Sequence, residues 1–456
     1  MSIQHECGVI GVHAADAGSL AILGLHALQH RGQESAGVAT FDGSVHLHKA
    51  MGLVDQVFSP APLLPGAWAV GHNRYSTTGT STHLNAGPFL VNTPLGPLVL
   101  AHNGNLVNAP ALRSLLHDEH QLTAESASDS ELLALLLRVA PGDSWPERLR
   151  WMAQRARGSY SLVLLAGKKL FGVRDPMGNR PLALGRLADG WALASESCAF
   201  SLLGGQSVRD IRPGEIVEIN AVGPAPAENL PPAQRAFCAF EQIYIARPDT
   251  LFAGRTVHAA RRAIGEELGR EAPAPADLVI GVPDSGTSAA LGYATSSGIP
   301  FGEGLIKNRY VGRTFIQPAQ AERERLIRMK FGALPMKGKR LVLVDDSIVR
   351  GNTLKPIVNL LLEAGASEIH VRIAAPPITD PCYLGVDMHA RDELIANRLD
   401  ETAMAAHVGA TSLRYISIDG LLRAIHGSRE NTCLACFTGR YPASIQRDIV
   451  AQETLV

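Results

Sequence analysis

The hydrophobic pattern of the chain has two textures, and it changes near residue 230. In the first half, short apolar or alternating runs lie between glycines and turn residues, which favours β-strands. Helical stripes are fewer: residues 20–30 carry one, and residues 132–139, preceded by Ser128, carry another. The predicted strands are residues 8–14, 37–50, 68–77, 97–103, 159–173, 191–195 and 215–219. Many strands with few helices predict two stacked sheets covered by helices.

Residues 222–232, with the sequence VGPAPAENLPP, have the composition of a connector. Beyond it, apolar strand-like runs alternate with helical stretches, as in a parallel sheet with helices on its faces. The runs are the strands 278–282, 341–344 and 368–374 and the helices 288–296 and 353–364. We therefore expect an α+β domain over residues 7–235 and an α/β domain over residues 236–456.

The composition is that of a globular protein large enough for two domains. Of the 456 residues, 46% are hydrophobic and 19% charged, and the formal net charge of −1 gives no reason to expect nucleic acid or an anionic membrane as a partner. The apolar runs are too short to span a bilayer, and residues 1–6 lack the basic start and apolar stretch of a secretory signal. These features predict a cytoplasmic protein.

Cys7 is a candidate nucleophile because of its position near the start of the chain. If residues 1–6 are removed, its own α-amino group lies beside the thiol. That amine titrates near ~8 and can accept the thiol proton without a histidine. The alternative is a small buried thiol in the first strand.

Three further segments carry groups suited to an amide substrate with an amino-acid backbone. Arg74, in GHNRY, can fork onto a carboxylate. Asn103 and Gly104, in AHNGN, can offer a side-chain amide and a backbone N–H to an oxyanion. Asp129 can pair with an ammonium group, or it can simply cap a helix.

These segments resemble the class II glutamine amidotransferases, in the family's order and over about the first half of the chain. The matching segments are CGVIG from Cys7, GLHALQHRGQESAG from Gly24, GHNRY from Gly71, HNGN from His102, SDSE from Ser128 and RDPMGNRP from Arg174. The resemblance implies a four-layer N-terminal-nucleophile fold in which Cys7, freed from a propeptide of residues 1–6 that the chain removes from itself, attacks the glutamine amide. Arg74 and Asp129 would bind the substrate's carboxylate and ammonium groups, and Asn103 and Gly104 would form the oxyanion hole.

A second candidate site lies in the other half of the chain. Residues 339–353, KRLVLVDDSIVRGNT, join an apolar strand to a helix through a polar turn. Backbone N–H groups at such a helix start bind phosphate. The carboxylates of Asp345 and Asp346 suit ribose hydroxyls and positive charge at an anomeric carbon; alone, they could also be an acidic helix cap.

Two more segments complete this candidate site. Residues 281–287, GVPDSGT, end another strand, and their small residues let the backbone approach a pyrophosphate. Residues 307–318 form a basic, glycine-containing stretch that can close over a diphosphate, or that can be a solvated surface loop.

These segments resemble the type I phosphoribosyltransferases. The resemblance implies that 5-phosphoribosyl 1-diphosphate is bound by Asp284, Ser285, Lys307, Tyr310, Arg313, Asp345, Asp346, Ser347, Gly351 and Thr353. One Mg²⁺ per subunit would be held by Ser285, Asp345 and Asp346, a sparse ligand set that suits an ion retaining several waters.

Together the two resemblances imply a glycosyltransferase that opens purine synthesis. It would hydrolyse glutamine and use the ammonia to displace pyrophosphate from 5-phosphoribosyl 1-diphosphate, giving 5-phosphoribosylamine. One alternative is a class II glutaminase that feeds another synthase, which the Asp345–Asp346 pair opposes. Another is a nucleotide-sensing regulator without catalysis, which the intact candidate residues and the lack of a basic helix oppose.

The cysteines suggest a metal site. Cys433 and Cys436 form a Cys-x-x-Cys pair that needs two more ligands, and Cys238 and Cys382 are available. The spacing alone does not separate zinc from an iron–sulfur cluster, and buried metal-free thiols also fit.

The family resemblance favours its iron–sulfur branch, whose members carry cysteines in these four contexts and a short leader ending in Glu. It implies one [4Fe-4S] cluster per subunit on Cys238, Cys382, Cys433 and Cys436, with Cys198 left in the core. The family also suggests a homotetramer inhibited by purine nucleotides such as AMP and GMP.

Overall fold

The fold is described from a computed structural model of the chain. The structure describes residues 7–75, 82–227, 229–308, 310, 327–388, 390–442, 445, 446, 448 and 449. We name residues 7–227 the N-terminal unit and residues 229–449 the C-terminal unit.

The strands of the N-terminal unit pair antiparallel in two sheets. They are β1 (Gly8–His13), β2 (Ser35–Phe41), β3 (Val45–Met51), β4 (Trp68–Arg74), β5 (Phe89–Thr93), β6 (Gly96–Leu106), β7 (Gly158–Ala166), β8 (Leu170–Arg174), β9 (Ala183–Arg186), β10 (Trp191–Ala194), β11 (Gln206–Asp210), β12 (Ile216–Asn220) and β13 (Gly223–Pro226). Within the described residues, the first sheet has the order β11-β9-β10-β1-β4-β2-β3 and the second has the order β13-β12-β8-β7-β6-β5.

Helices cover the outer face of each sheet. They are α1 (Ala17–Ala27), α2 (Val54–Val57), α3 (Ala109–His120), α4 (Asp129–Val139), α5 (Trp145–Ala153) and α6 (Cys198–Leu202). Val9 and Val163 belong to the core between the two sheets, Leu25 of α1 packs on the first sheet, and Leu133 of α4 packs on the second. Because each sheet buries both faces, the unit has four layers, and the predicted four-layer fold is confirmed.

Helix α4 shows how the sequence sets a boundary that matters for the first site. The Ser128 hydroxyl accepts a hydrogen bond from the Ser130 N–H, so Ser128 is the N-cap. Asp129 and Glu131 occupy the first turn, where a negative charge is favourable. The helix therefore begins at Asp129 and holds this carboxylate at its start.

The C-terminal unit contains the predicted parallel sheet. The strands of this unit are β14 (Phe237–Cys238), β15 (Leu251–Phe252), β16 (Arg255–Thr256), β17 (Leu278–Gly281), β18 (Leu305–Lys307), β19 (Phe331–Ala333), β20 (Arg340–Asp345), β21 (Glu368–Ile373), β22 (Ser412–Tyr415) and β23 (Thr432–Cys433). Its helices are α7 (Val257–Glu271), α8 (Thr287–Ser297), α9 (Leu354–Glu363), α10 (Glu401–Val408), α11 (Ile418–Ile425) and α12 (Ala435–Thr438). The order β17-β20-β21-β22 is parallel throughout, and the α/β prediction is confirmed.

The last part of the chain returns to the N-terminal unit. β14 pairs in parallel with β23, so that Cys238 lies opposite Cys433. Tyr441 and Ile445 pack in one cluster with Val107 and Met177 of the N-terminal unit. The two units therefore share an apolar contact made largely by the final residues.

The structure corrects the predicted connector in part. Residues 222–232 contain β13, which pairs with β12 alone and so forms an edge of its sheet. An edge strand tolerates Pro224 and Pro226 because a proline without an N–H loses no bond on its free side. The predicted strands 37–50 and 159–173 are each two strands joined by a tight turn, with Gly43 at φ +134° and Gly167 at φ +58°.

The helices in the described ranges are all short. The longest of those given above, α7, has 15 residues, whereas a bilayer crossing takes about 20. In the described part of the chain, no helix has both the length and the apolar character to cross a membrane.

Candidate active sites

Cys7 lies in a cleft where the two sheets of the N-terminal unit meet the start of α4. Gly8 of β1 pairs with Asn73 of β4, so Cys7 stands beside Arg74 and its Sγ donates to the Tyr75 carbonyl oxygen at 3.6 Å. The cleft is lined by Cys7, His72, Arg74, Tyr75, His102, Gly104, Ser128, Asp129 and Ser130. Four of the predicted residues, Cys7, Arg74, Gly104 and Asp129, thus come together.

The thiol of Cys7 is poorly ionised in this setting. Burial raises its pKa to about 11, although the Tyr75 contact and the charge of Arg74 act in the opposite direction. While a peptide bond joins Cys7 to Glu6, the cleft therefore holds a protonated thiol at neutral pH.

Arg74 is held by an acidic partner. Its side chain is nearly buried, and its Nη1 forms an ion pair with Oε1 of Glu34. Arg74 also lines the cleft, where a guanidinium can fork onto a substrate carboxylate. Glu34 lies in the segment that begins at Gly24, and nothing in the sequence alone indicates its pairing with Arg74.

Asp129 is charged and oriented by its surroundings. The Leu106 N–H donates to its Oδ2 at 3.0 Å, and Nδ1 of His102 lies 3.5 Å from its Oδ1. Burial acts to raise the pKa of Asp129, but His102 and the N–H groups of Leu106 and Ser130 outweigh burial and hold the pKa below its usual value. Since Ser128 is the cap of α4, the carboxylate of Asp129 is free of that task.

Asn103 and Gly104 lie together on β6. The Asn103 side chain is fully buried, and among the described residues neither atom of its amide has a hydrogen-bond partner. Gly104 has φ +152°, and an added Cβ would come 2.1 Å from the Ser159 carbonyl oxygen. Only glycine fits there, and a buried amide without a partner is costly unless something else binds it.

The second site lies at the carboxyl ends of β17 and β20. These strands are neighbours, and the Val282 N–H donates to the Val344 carbonyl oxygen at 2.9 Å. The segments that follow them therefore meet, and the carboxylate of Asp346 interacts with the hydroxyls of Ser285 and Ser347. Ligand sites typically occupy this edge of a parallel sheet.

The paired carboxylates are electrostatically strained. Burial and the negative charge of Asp346 hold the pKa of Asp345 well above its usual value. Burial also raises the pKa of Asp346, against the effects of Ser285, Ser347 and Arg261. A divalent cation would remove this repulsion, so the donor set and its electrostatics fit Mg²⁺.

The structure describes most of the other predicted residues. Lys307 pairs with Asp284 through its Nζ. Gly351, at φ +72°, and Thr353 lie just before α9, and Tyr310 is fully exposed. Arg313 lies outside the described residues.

The four predicted cluster cysteines share one buried region between the units. Burial, with a smaller contribution from the charges of Cys238 and Cys382, raises the pKa of Cys433 to about 12. Cys436 responds to the same neighbours, and the Arg180 guanidinium lies close to three of the four. Yet no group of three or more His, Cys, Asp or Glu side chains in the described ranges is arranged closely enough to hold a metal ion.

Both halves of the chain match known sequence families. Residues 72–201 match a family described as a glutamine amidotransferase domain, and residues 249–385 match one described as a phosphoribosyl transferase domain. The amidophosphoribosyltransferase of Synechococcus elongatus is 48% identical over 99% of this chain and 94% of its own length. That of Mycobacterium tuberculosis is 47% identical over 100% of this chain and 90% of its own. The chain belongs to the amidophosphoribosyltransferase family.

A solved structure agrees with this assignment. The chain resembles the glutamine phosphoribosylpyrophosphate amidotransferase of Bacillus subtilis, solved as a complex with ADP and GMP, with a TM-score of 0.89 and 42% identity. The match covers 96% of this chain and 97% of the other.

As an amidophosphoribosyltransferase, the protein is a glycosyltransferase that transfers ammonia from glutamine to 5-phosphoribosyl 1-diphosphate, the first step of purine biosynthesis. The predicted activity is confirmed, and the alternatives of another glutamine-fed synthase and of a non-catalytic regulator gain no support.

Sequence reasoning missed the buried charges behind the Cys7 cleft. Arg31 and Glu196 are fully buried and joined at 2.6 Å, and Glu241 of the C-terminal unit joins the same group. The only signal in the sequence was a cluster of polar residues, HRGQES, inside an otherwise apolar stretch. Such a cluster does not reveal partners more than 150 residues away.

Proposed function

We propose that Cys7 is the glutaminase nucleophile and that it acts as a free N-terminus after the chain removes residues 1–6. The supporting observation is the buried thiol with a pKa of about 11, which leaves about one thiolate in 10⁴ at pH 7. Removal of residues 1–6 puts an α-amine on Cys7 itself, where it can accept the thiol proton and later donate it to the departing ammonia.

In this proposal the other groups of the cleft bind and polarise glutamine. Arg74 binds the α-carboxylate, and Asp129 binds the α-ammonium. The amide of Asn103 and the N–H of Gly104 stabilise the oxyanion that forms when Sγ attacks. The buried, unpartnered Asn103 amide supports this role because it leaves a donor available for the substrate.

At the second site, 5-phosphoribosyl 1-diphosphate binds along the carboxyl edge of β17 and β20. The N–H groups of the turn from Ser347 through Gly351 to Thr353 face the 5-phosphate, and Asp345 and Asp346 face the ribose. Bound between Ser285 and the two aspartates, Mg²⁺ would neutralise charge on the diphosphate. Asp284, Lys307, Tyr310 and Arg313 would then contact the diphosphate group.

We also place the protein in the iron–sulfur branch of the family, with one [4Fe-4S] cluster on Cys238, Cys382, Cys433 and Cys436. The thiols of Cys238 and Cys436 are buried and those of Cys382 and Cys433 partly buried, and all four have the donor chemistry for such a cluster, although they would have to move closer together. Iron and acid-labile sulfide measured on protein purified without oxygen should be lost in Cys433→Ala and kept in Cys198→Ala. Stoichiometric zinc without sulfide would contradict the proposal.

Three further properties are proposed from the family resemblance. Purine nucleotides act as feedback inhibitors, the enzyme is a homotetramer, and it works in the cytoplasm. The B. subtilis relative was solved with ADP and GMP, which supports the first of these. Inhibition assays with AMP and GMP and a solution mass would test the first two.

The decisive experiment for the nucleophile is the intact mass of the active enzyme. We expect a protein that begins at Cys7. A fully active preparation that retains Met1 to Glu6 would rule out the free-amine mechanism.

A further inference from the structure

A buried arginine holds the main chain of Cys7. Arg31 follows α1, its side chain is fully buried, and its Nε donates to the Cys7 carbonyl oxygen at 3.1 Å. This contact acts on the peptide that joins Cys7 to Gly8. It therefore restricts the direction in which both the thiol and the α-amine of Cys7 can point.

The orientation of Arg31 is fixed in turn by two buried carboxylates. Its Nη1 and Nη2 lie 3.0 and 2.7 Å from the two oxygens of Glu241, and Nη1 also donates to Glu196 at 2.6 Å. A forked guanidinium–carboxylate pair is strongly directional, and these side chains have no access to solvent. Arg31 can therefore turn only if the pair with Glu241 breaks.

Glu241 belongs to the other unit of the molecule. It begins the helical turn Glu241–Ile245, just after β14, and its neighbours Phe240 and Ile243 lie in the core of the C-terminal unit. On its other side, Glu241 lies 3.6 Å from Nη1 of Arg180. Glu241 of the C-terminal unit thus contacts Arg31, and Arg31 in turn contacts Cys7.

We infer that Arg31 is a positioning residue for Cys7 and that Glu241, supplied by the C-terminal unit, sets its geometry. The inference rests on the proposed role of Cys7 as the nucleophile. Neither Arg31 nor Glu241 lines the cleft, so the pair acts on the direction of attack and leaves glutamine binding to Arg74 and Asp129. The glutaminase site is therefore complete only when the two units are docked.

The test replaces Glu241 in the full-length enzyme and separates the two half-reactions. For Glu241→Gln, we expect kcat for glutamine hydrolysis to fall about 10- to 100-fold, because small displacements of a reacting group have effects of that size. The KM for glutamine and the synthesis of phosphoribosylamine from ammonium should each stay within about two-fold. Intact mass establishes that each variant begins at Cys7.

Two further variants guard against a misfolded protein. Glu241→Asp keeps the charge and should lose less activity than Glu241→Gln. Arg31→Lys keeps the charge but loses the forked geometry of the guanidinium. In the double variant with Glu241→Gln, kcat for glutamine hydrolysis should fall no lower than in the worse single variant, as expected of residues that act as a unit. Asp448→Asn is the matched control, since it removes an exposed ion pair with Arg157 that also joins the chain's end to the N-terminal unit.

The outcomes are distinct. An unchanged kcat, an equal loss in both half-reactions, a change in KM alone, or a Glu241→Gln protein that keeps residues 1–6 would each overturn the inference. Cys7→Ala separates this failure from that of the proposed function. If Cys7→Ala still hydrolyses glutamine, the nucleophile assignment fails, whatever Glu241→Gln does.

Discussion

The Cys7 cleft pairs its charges within the protein, whereas the edge of β17 and β20 brings like charges together. In the cleft, Arg74 forms an ion pair with Glu34, and Oδ1 of Asp129 lies 3.5 Å from Nδ1 of His102. At the edge, burial raises the pKa of both Asp345 and Asp346, and the negative charge of Asp346 raises that of Asp345 further. The first site is held in shape by the folded chain. At the second site, the negative charges of two buried aspartates are unfavourable, and a bound cation would neutralise them.

The two sites also sit on different parts of their sheets. In the cleft, Arg74, His102 and Asp129 lie on strands or at the start of α4 and are almost fully buried, whereas Cys7, just before β1, is partly buried. The residues of the edge lie in the turns after strands, and Tyr310 is fully exposed. A ligand therefore finds a formed pocket in the first case, and in the second it must contribute to the order of the site.

The largest expected effect comes from Cys7→Ala, which should divide the enzyme into its two sites. Glutamine-dependent synthesis should fall about 10⁴-fold or more, as when an activated nucleophile is removed. Synthesis from ammonium should stay within about two-fold because the edge of β17 and β20 contains no part of the cleft. Steady-state assays with each nitrogen source measure this difference. A parallel loss of both activities would mean that the sites are not independent.

The next effect, about 10³-fold, is expected for Asp345→Asn, which should reduce synthesis from glutamine and from ammonium alike. The same change should raise the free energy of unfolding of the substrate-free protein by about 1 kcal/mol or more, because it removes one of two repelling charges. Kinetic assays measure the expected loss of synthesis, and thermal unfolding measures the expected gain in stability. A less stable variant would contradict the electrostatic contrast between the sites.

The pH dependence of that gain follows from the raised pKa values. The folded protein keeps protons on these aspartates above the unfolded pKa of about 3.9, so the stability of the parent falls as pH rises through that pKa towards the higher folded values. The advantage of Asp345→Asn should vanish below about pH 4 and grow as pH rises towards the folded pKa values. Unfolding curves measured across this range test the sign.

A smaller effect is expected for Asn103→Ala. Loss of one oxyanion donor should lower kcat for glutamine by about 10²-fold with little change in KM. Asn105→Ala is the matched control, because Asn105 lies two residues along the same strand and donates to the Tyr383 carbonyl oxygen. An increase in KM with kcat preserved would assign Asn103 to substrate binding instead.

The smallest effect is expected for Tyr310→Ala. The fully exposed side chain makes no packing contribution, so the melting temperature should not change. If Tyr310 acts on the bound diphosphate, phosphoribosylamine formed per glutamine consumed should fall about tenfold while glutamine hydrolysis continues. Product and glutamate measured in the same reaction give this ratio, and an unchanged ratio would exclude the role.

Local signals made part of the structure predictable. The apolar run 341–344 was identified because four consecutive buried residues need both faces covered, and β20 extends it by only one residue at each end. The segment SDSE from Ser128 predicts a helix start ahead of residue 132, and α4 begins at Asp129 within that segment. In both cases the physical cause acts within a few residues of sequence.

Long-range pairing made the rest unpredictable. Arg31 and Glu241 are 210 residues apart, and neither belongs to a periodic pattern that could reveal the other. Likewise, Arg74 meets Glu34 only because β4 pairs with β2. Edge strand β13 was missed because prolines normally argue against a strand, and only the sheet order shows that its outer side is free.

The parallel pair of β14 with β23 also has a consequence for synthesis of the chain. Cys433 leaves the ribosome 195 residues after its partner Cys238, which at typical rates of elongation is a delay of about 10 to 40 seconds. During that interval the N-terminal unit lacks the cover that Tyr441 and Ile445 later supply to Val107 and Met177. A nascent chain stalled shortly before residue 430 should therefore present an apolar surface to chaperones, and this surface should disappear once the last 25 or so residues emerge.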